Sequence, residues 1–139
     1  MLNISKSSKE EIKPFNSMEW MDADTMYYGV PVEWIQTDFV FKAEDEGVIV
    51  GSIFGHVEEG VLDIKDIIVA RDKRRKGVGK QLMEAAEKFG KDSGAHKSHI
   101  IFGVGWPVEN FCITQGYIRV GELKNHFLHK DFAVYEKTL

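Results

Sequence analysis

An abrupt change of hydrophobic period near residue 70 constrains the fold more than any other feature of this sequence. The segment Val61–Val69 is rich in β-branched and apolar residues, which is typical of a buried strand. From Val78 onward, apolar residues recur at helical spacing, at positions 78, 82, 83, 86 and 89, with charged residues between them. A basic loop that contains Gly77 joins the two segments. A strand, a glycine-containing loop and an amphipathic helix in this order predict a helix that packs on a sheet.

Runs of strand-forming residues flank this unit on both sides. Before it, Phe39–Phe41 and Val48–Phe54 are each followed by an acidic turn, the first ending in Gly47 and the second in Gly60, a pattern typical of antiparallel hairpins. After it, the sequence predicts a strand, a short helix that begins with proline and two more strands, at His99–Val104, Pro107–Thr114, Tyr117–Leu123 and Phe132–Lys137. This order predicts a mixed α+β domain, with flanking helices around a mostly antiparallel sheet of six to seven strands.

The first third of the chain has a weaker pattern. Ser7 and Ser8 precede acidic residues, as at the start of a helix, and Gly29-Val30-Pro31 interrupts the segment, so we expect one or two irregular helices. Aromatic residues are frequent here. We expect them to pack in the core, with the lining of a substrate pocket as the alternative. They are Trp20, Tyr27, Tyr28 and Trp34.

Length and composition favour one intracellular domain. A chain of 139 residues fits a single domain, and we expect residues 1–139 to form it. Cys112 is the sole cysteine, so no disulfide can form within the chain, as is usual in a reducing compartment. The N-terminus lacks the apolar stretch of a signal peptide, and no run approaches the roughly 18 apolar residues of a membrane span. These observations predict a cytoplasmic protein without a membrane partner.

The loop before the second predicted helix carries a local excess of positive charge, although the whole chain has a net charge of −4. Between residues 71 and 80, six basic residues stand against the single acid Asp72. The six are Arg71, Lys73, Arg74, Arg75, Lys76 and Lys80. A small basic cluster in an acidic protein favours a small anionic ligand over nucleic acid.

The same loop has the backbone chemistry of an anion site. The first turn of a helix has N–H groups without intrahelical partners and a positive dipole end, and glycines let a phosphate approach the backbone closely. The Walker A loop is excluded because position 74 is Arg74 and position 81 is Gln81, and the dinucleotide fingerprint is excluded because position 82 is Leu82. The alternative is a solvated basic loop that only caps the helix.

At this point the sequence resembles the GNAT superfamily of acyl-CoA N-acyltransferases. The acetyl-CoA signature of that family is Gln or Arg, two residues, Gly, one residue, then Gly or Ala, and Arg74-Arg75-Lys76-Gly77-Val78-Gly79 matches it at the start of a helix that follows a strand. Other segments resemble the family's strands and short helix, namely Val50–Ile53, Ile67–Val69, Phe111–Tyr117 and Phe132–Tyr135. The resemblance covers roughly residues 39 to 137.

The resemblance implies that acetyl-CoA is a co-substrate and that no metal is needed. The signature would hold the CoA pyrophosphate, and its residues here are Arg74, Arg75, Lys76, Gly77, Val78, Gly79 and Lys80. The strand end Ile67, Ile68 and Val69 would align the pantetheine arm. Relatives often carry an asparagine before the short helix. The nearest one here, Asn110, is out of register and is included as a candidate cofactor ligand.

Asp63 is the candidate general base. The acceptor would be a primary amine of a small molecule or peptide, which must lose a proton before it attacks a thioester. Some relatives carry a Glu eleven residues before the signature, where this chain has the shorter Asp63. Strand alternation predicts Asp63 on one face with Lys65 and Ile67, and Asp66 on the other face with Ile68. The alternative role of Asp63 is a solvent-facing residue or a partner of Lys65.

Cys112 is the candidate general acid. It stands where many relatives have a tyrosine that protonates the departing CoA thiolate, and a thiol of ordinary pKa, about 8.5, could donate a proton. Packing within the short helix is the alternative role of this cysteine.

Three functions therefore remain open at the level of sequence. The first is an N-acetyltransferase that acts by direct attack of the amine, and the second is a non-catalytic CoA-binding or sensing module on the same fold. The third, a nucleic-acid-binding protein, is disfavoured by the net charge. The histidine pairs His96/His99 and His126/His129 lack the further ligands of a zinc site. A homodimer is left open.

Overall fold

A computed structural model describes all residues, 1–139, and the chain divides into two compact units, Met1–Trp34 and Ile35–Leu139. The first unit contains helix α1, Lys9–Tyr28. The helix begins there because the Ser8 side chain accepts a hydrogen bond from the Glu11 N–H, at 3.1 Å. It ends where Gly29 adopts a left-handed conformation and its N–H bonds the Thr25 carbonyl.

The first unit forms one helix, with the predicted break at Gly29. The Trp34 indole N–H donates to Asp24, at 2.8 Å, and the Trp34 ring packs edge-on against Tyr28. Core packing of the aromatic residues is a wrong prediction, because Trp20, Tyr27, Tyr28 and Trp34 are each about half exposed or more. Asp24 is the buried residue of the helix, so the unit is organised around a polar contact and not an apolar face.

The second unit is a six-stranded sheet with two helices, which confirms the predicted fold class. The strands are β1 Gln36–Asp45, β2 Val48–Glu58, β3 Val61–Val69, β4 Lys97–Gly103, β5 Ile118–Leu123 and β6 Phe132–Thr138. The helices are α2 Val78–Asp92 and α3 Val108–Thr114, and single 3₁₀ turns lie at Arg71–Lys73 and Phe127–His129. The strand order is β1-β2-β3-β4-β6-β5, and every pair is antiparallel except β3–β4. None of the three helices combines the length and apolar character that crossing a membrane requires.

Helix α2 covers one face of strands β1 to β3. Its apolar stripe, which includes Leu82, Met83 and Ala86, is buried in a single core with Leu62 and Ile64 of β3. Each of the Leu, Ile and Met side chains in this set contributes about 1.5–3 kcal/mol when it leaves water. This packing fixes which face of β3 turns inward, and it leaves the alternate residues of β3 on the opposite face of the sheet.

Two irregularities of β3 shape the region around residue 65. Strands β3 and β4 pair only from Val61/Lys97 to Ile64/Ile100, so beyond this point the two strands separate. In the β2–β3 pair, Phe54 faces Asp66 while Gly55 faces Ile64, which leaves Lys65 as the extra residue of a β-bulge.

The bulge corrects the predicted alternation of β3. Because one extra residue is inserted, Ile67 and Val69 pack on the core side with Ile64, whereas Ile68 is 57% exposed on the face that carries Asp63. Gly55 is the residue that permits the bulge. A Cβ at this position would lie 2.0 Å from the Asp63 carbonyl oxygen.

Candidate functional site

The loop between β3 and α2 presents an uncapped helix N-terminus. After the 3₁₀ turn Arg71–Lys73, Arg75 has a positive φ of 63° and Gly77, the N-cap residue, has a φ of 82°. No side chain caps α2, so the first-turn N–H groups keep their donors free for another acceptor. The space on the side-chain side of Gly77 is open, since the nearest atom lies 4.0 Å from the position of a Cβ.

Part of the loop's positive charge is used to hold the loop in place. Arg74 Nε donates to the Val69 carbonyl, at 3.0 Å, and Lys73 Nζ forms an ion pair with Asp45, at 3.1 Å. Arg75 and Lys76 are exposed and form no salt bridge within the chain. Arg75 and Lys76 are therefore uncommitted cations beside a helix N-terminus, a combination that stabilises a bound anion.

The two glycines of the predicted signature have different environments. Gly77 faces open space, as sequence reasoning expected of both glycines. Gly79 does not, because a Cβ there would lie 3.2 Å from the Phe111 ring and 3.7 Å from Val69. Gly79 lets α3 pack close to the start of α2. The Cβ side of Gly79 is thus used for packing, which leaves its backbone N–H as the group that could contact a phosphate.

The end of β3 lies directly before this loop, on the side where β3 and β4 have separated. The backbone of residues 65–69 has no pairing with β4, so it can pair with an extended ligand in the gap. Ile68 is exposed there, while Ile67 and Val69 anchor the strand to the core. Across the gap, the Trp106 indole packs on Gly103, where a Cβ would lie 2.2 Å from the ring. The predicted ligand segment Ile67–Val69 and the loop are therefore contiguous along one edge of the gap.

Asp63 lies at the centre of a row of ionisable residues that crosses the sheet, from His56 through Asp63 to His99. The strand registers pair it with His56 on β2 and with His99 on β4. Its Oδ1 is 3.4 Å from His99 Nδ1, and its Oδ2 is 2.8 Å from Lys65 Nζ and 3.7 Å from His56 Nε2. The Asp63–His99 pair is one residue before the last β3–β4 pair, so this row meets the gap between the strands.

The surroundings of Asp63 keep its carboxyl ionised. Burial by itself would raise the pKa of Asp63, but hydrogen bonds from His99 and Lys65 and their positive charges outweigh it and lower the pKa to about 2. A general base works best when its pKa is near the working pH. A carboxylate with this pKa is a weak proton acceptor, and its negative charge is better suited to orienting its neighbours.

Cys112 is placed where a proton donor would be of little use. Its thiol is fully buried in the core, and burial raises its pKa to about 12. A thiol with this pKa does not readily give up a proton to a departing thiolate of ordinary pKa. The geometry favours the packing role that the sequence also allowed. Asn110, its neighbour on α3, is exposed, and its carbonyl accepts a hydrogen bond from Thr114.

A shallow cavity of about 460 Å³ adjoins this row on the face of the sheet opposite α2. It combines apolar surface with polar groups of both charges. The lining residues are Gln36, Asp38, Phe39, Val40, Phe54, Gly55, His56 and Lys65. Because His56 and Lys65 both contact Asp63, the cavity and the gap between β3 and β4 lie on either side of that carboxylate.

Sequence reasoning did not identify two groups of the site. His99 was considered only as half of a zinc pair, and no group of three or more His, Cys, Asp and Glu side chains is arranged to hold a metal ion. Glu109 was not considered at all. Its carboxylate accepts from the Gly105 N–H and from the Tyr135 hydroxyl, each at 3.0 Å, and it thereby links α3 to the end of β4 and to β6. The sequence contained one signal for Glu109, which is its position in the first turn of the short helix that follows Pro107.

Comparisons with known proteins agree with this geometry. The profile of the Acetyltransferase (GNAT) family matches residues 7–104, whereas a search of curated proteins returned no match. Among solved structures, the chain is similar to an acetyltransferase from Bacillus cereus, with 20% identity, coverage of 99% of this chain and 98% of that chain, and a TM-score of 0.73.

Two further solved structures share the fold over part of their length. A ribosomal-protein-alanine N-acetyltransferase from Brucella melitensis is 20% identical, with 89% of this chain and 77% of that chain covered and a TM-score of 0.61. A protein from Bacillus anthracis, solved in complex with acetyl coenzyme A, is 17% identical, with 74% and 63% covered and a TM-score of 0.67. Since the family profile spans well over half of the sequence, the chain belongs to the GNAT acetyltransferase family.

Proposed function

We propose that this protein transfers an acetyl group from acetyl-CoA to a primary amine of a small molecule or peptide, by direct attack of the amine. The observation that carries the proposal is the junction at Val69. There the end of β3, which has no partner on its β4 side, meets a loop with an open, uncapped helix N-terminus, and Arg74 connects the two through its bond to the Val69 carbonyl.

The residues of the junction fit acetyl-CoA in charge and shape. The diphosphate of CoA needs donors and positive charge, which the N–H groups from Gly77 to Lys80 and the cations Arg75 and Lys76 would supply. The extended pantetheine arm carries amides, which the free backbone of Ile67–Val69 would pair. Asn110 on the exposed face of α3 is kept in the proposed set of cofactor ligands.

Acetyl-CoA supplies an acetyl group activated as a thioester. The protein's part is to prepare the amine. An ammonium group like that of lysine has a pKa of about 10.4, so at pH 7 the reactive neutral amine carries a penalty of about 4–5 kcal/mol. The row around Asp63, at the edge of the gap, is the proposed location where that proton is removed. Water is the proposed proton source for the leaving sulfur, because Cys112 is buried with a raised pKa.

Calorimetric titration with acetyl-CoA tests the binding half of the proposal. We expect micromolar affinity for the wild type and at least about 10-fold weaker binding for the double variant Arg75→Glu/Lys76→Glu, because two charge-assisted contacts become repulsive. Lys13→Glu/Lys130→Glu is the matched control, since it makes the same charge change at two other exposed lysines. Absence of acetyl-CoA binding to the wild type would contradict the proposal.

Release of CoA thiol in the presence of amines tests the catalytic half. The acceptors offered would be a peptide with an N-terminal alanine, spermidine and free lysine, and the acetylated product would be identified by mass spectrometry. The buried Cys112 favours one second candidate, a CoA-binding module without turnover, because it leaves no acid at the family's tyrosine position. Tight acetyl-CoA binding with no thiol release from any of these amines would support that second candidate.

A further inference from the structure

We propose that His99 is the proton acceptor for the attacking amine and that Asp63 acts through it as a positioning residue. This inference rests on the proposed acetyl transfer and assigns the step at which the amine loses its proton.

The location of His99 suits this role. His99 and Asp63 face each other across the parallel β3–β4 pair, one residue before the pairing ends and the strands separate. Both side chains lie on the sheet face opposite α2, because Leu62 and Ile64, which flank Asp63, are buried in the core under that helix. His99 is about a quarter exposed. An imidazole in this position borders the gap that would hold the thioester.

The direction of the hydrogen bond between His99 and Asp63 determines which imidazole nitrogen carries the proton. Asp63 is ionised at neutral pH, so its carboxylate can only accept. His99 Nδ1, at 3.4 Å from Oδ1, must therefore be the protonated ring nitrogen in the neutral imidazole. This tautomer leaves Nε2 with its lone pair, which is the arrangement a general base requires.

The other charged groups around His99 are held by partners of their own. On β6, Glu136 is its register partner, but the Glu136 carboxylate is held by Lys97. On β3, Lys65 is bound to the Asp63 oxygen that does not face His99. Asp63 is therefore the carboxylate that orients His99, and Lys65 keeps that carboxylate in position.

His99 and His56, the other histidine of the row, differ in their contact with Asp63. His56 Nε2 lies 3.7 Å from Asp63, too far for a hydrogen bond, and His56 is on β2, away from the gap. The same carboxylate thus orients one imidazole and only adjoins the other. A substitution of His56 is therefore a suitable control for a substitution of His99.

The proposed step conserves atoms and charge. His99 Nε2 first takes one proton from the bound ammonium group and releases it to solvent. The neutral nitrogen then forms a bond to the thioester carbonyl carbon and gives a second proton to His99 Nε2. The carbon–sulfur bond breaks, and its electron pair leaves with sulfur. His99 then returns its proton to solvent, and the sulfur takes one from solvent, so that the products are the acetamide and the free thiol.

Nitrogen-15 NMR of the imidazoles in the free protein tests the orientation without any catalysis. At a pH where His99 is neutral, we expect the Nδ1–H form for the wild type and a shift towards the Nε2–H form in Asp63→Ala, which removes the acceptor. His56→Gln should leave the His99 spectrum unchanged. An Nε2–H form of His99 in the wild type would overturn the inference, whatever the protein acetylates.

Steady-state kinetics with the best acceptor among the alanine peptide, spermidine and lysine test the role itself. We expect His99→Gln to lower kcat at least about 100-fold with an unchanged calorimetric Kd for acetyl-CoA, and free imidazole to restore part of the activity of His99→Ala. His96→Gln, a change at a histidine outside the row, should retain wild-type kcat. The inference is wrong if His99→Gln loses less than about fivefold, or if the loss follows His56→Gln instead.

The two kinds of failure are distinguishable. If the wild type does not bind acetyl-CoA, or releases no thiol with any of the three amines, the proposed function fails and the inference fails with it. If the wild type turns over and His99→Gln does so equally well, the proposed function stands and only the assignment of His99 is lost.

Discussion

The loop at residues 70–80 and the row His56–Asp63–His99 form the two halves of the candidate site. They differ in how far apart their residues lie in the sequence. The loop is contiguous in sequence and offers mostly backbone donors, which any sequence with the right φ angles would present. The row is composed of side chains from three strands, aligned by the β2–β3 and β3–β4 registers. The proposed ligand binding at the loop would therefore be a local property, whereas the proposed chemistry of the row would depend on tertiary structure.

Strand β3 joins the two halves. Val69 at its end contacts the loop through Arg74, and Asp63 belongs to the row. The bulge at Lys65 lies between them. A perturbation of the bulge should thus damage the row more than the loop, and a perturbation of the loop should leave the row intact. The following predictions test this separation.

The largest effect is expected for Gly55→Ala. The new Cβ would lie 2.0 Å from the Asp63 carbonyl oxygen, so the backbone must move or the bulge must be lost. We expect a loss of about 3 kcal/mol or more in the free energy of unfolding, measured with urea. Because the movement is centred on Asp63, acetyl transfer should fall further than acetyl-CoA affinity does.

Gly121→Ala is the matched control for this change. Gly121 also lies in a strand, but a Cβ there would meet Val134 at 3.9 Å, an ordinary contact distance. Its unfolding free energy should stay within about 1 kcal/mol of the wild type. If Gly55→Ala were as stable as Gly121→Ala, the bulge between the loop and the row would not require a glycine at position 55.

The next effect is the acid sensitivity of the row. The pKa of Asp63 is about 2 in the folded protein, below its ordinary value of 3.8, so folding favours the ionised carboxylate. The stabilisation is complete above about pH 4 and is lost as the pH falls through about 2. A difference of this size corresponds to about 2 kcal/mol. Urea unfolding at a series of pH values should show that Asp63→Asn is less stable than the wild type at pH 6 and that the difference narrows below pH 4.

A constant difference between Asp63→Asn and the wild type from pH 6 to pH 2.5 would mean that the row does not depend on the charge of Asp63. Lys65→Met is a useful companion variant, because it removes one of the two groups that hold this pKa down. Its acid sensitivity should be intermediate between those of the wild type and Asp63→Asn.

The loop, which is contiguous in sequence, was easier to predict than the row, which is assembled from three strands. The loop was predicted nearly completely, since the end of β3, the basic residues and the start of α2 are adjacent in sequence and governed by local rules. The fold class followed from hydrophobic periodicity in the same way, and β3 was predicted with its observed bounds, Val61–Val69.

The row could not be predicted, because its formation depends on register. Asp63 was identified through the family resemblance, but its alignment with His99, 36 residues later, exists only once β3 and β4 pair in parallel. The bulge shifted the predicted faces of Ile67 and Ile68, since a one-residue insertion leaves no clear mark in the alternation of this strand. Cys112 illustrates the same limit, because burial and not residue type decides its pKa.

A smaller effect is expected for Gly77→Ala, which tests the loop alone. Gly77 has a φ of 82°, and alanine in that conformation costs about 1 kcal/mol. The added methyl group would also stand where a phosphate approaches, so acetyl-CoA affinity should fall about 10-fold by calorimetry. The His99 tautomer, read by NMR, should be unchanged, because the loop and the row are separate.

Gly47→Ala serves as the control for backbone strain. Gly47 has a φ of 79° in the β1–β2 turn, with no atom within 4 Å of a Cβ position. It should show a similar loss of stability and wild-type affinity for acetyl-CoA. Equal loss of affinity in both variants would attribute the effect to general destabilisation and not to the loop.

The smallest effect is expected for Asp45→Ala, which frees the loop cation Lys73 from its carboxylate partner. The Lys73–Asp45 pair spans 3.1 Å, but the Asp45 side chain is 54% exposed, so the pair contributes at most about 0.5 kcal/mol to stability. Removal of Asp45 leaves Lys73 available to an anion, so acetyl-CoA affinity should rise by no more than about threefold at low salt, and the gain should vanish at high salt. Acetyl transfer under saturating acetyl-CoA should not change. A fall in affinity would mean instead that the ion pair holds the loop in its binding conformation, and the loop would then depend on tertiary contacts in the same way as the row.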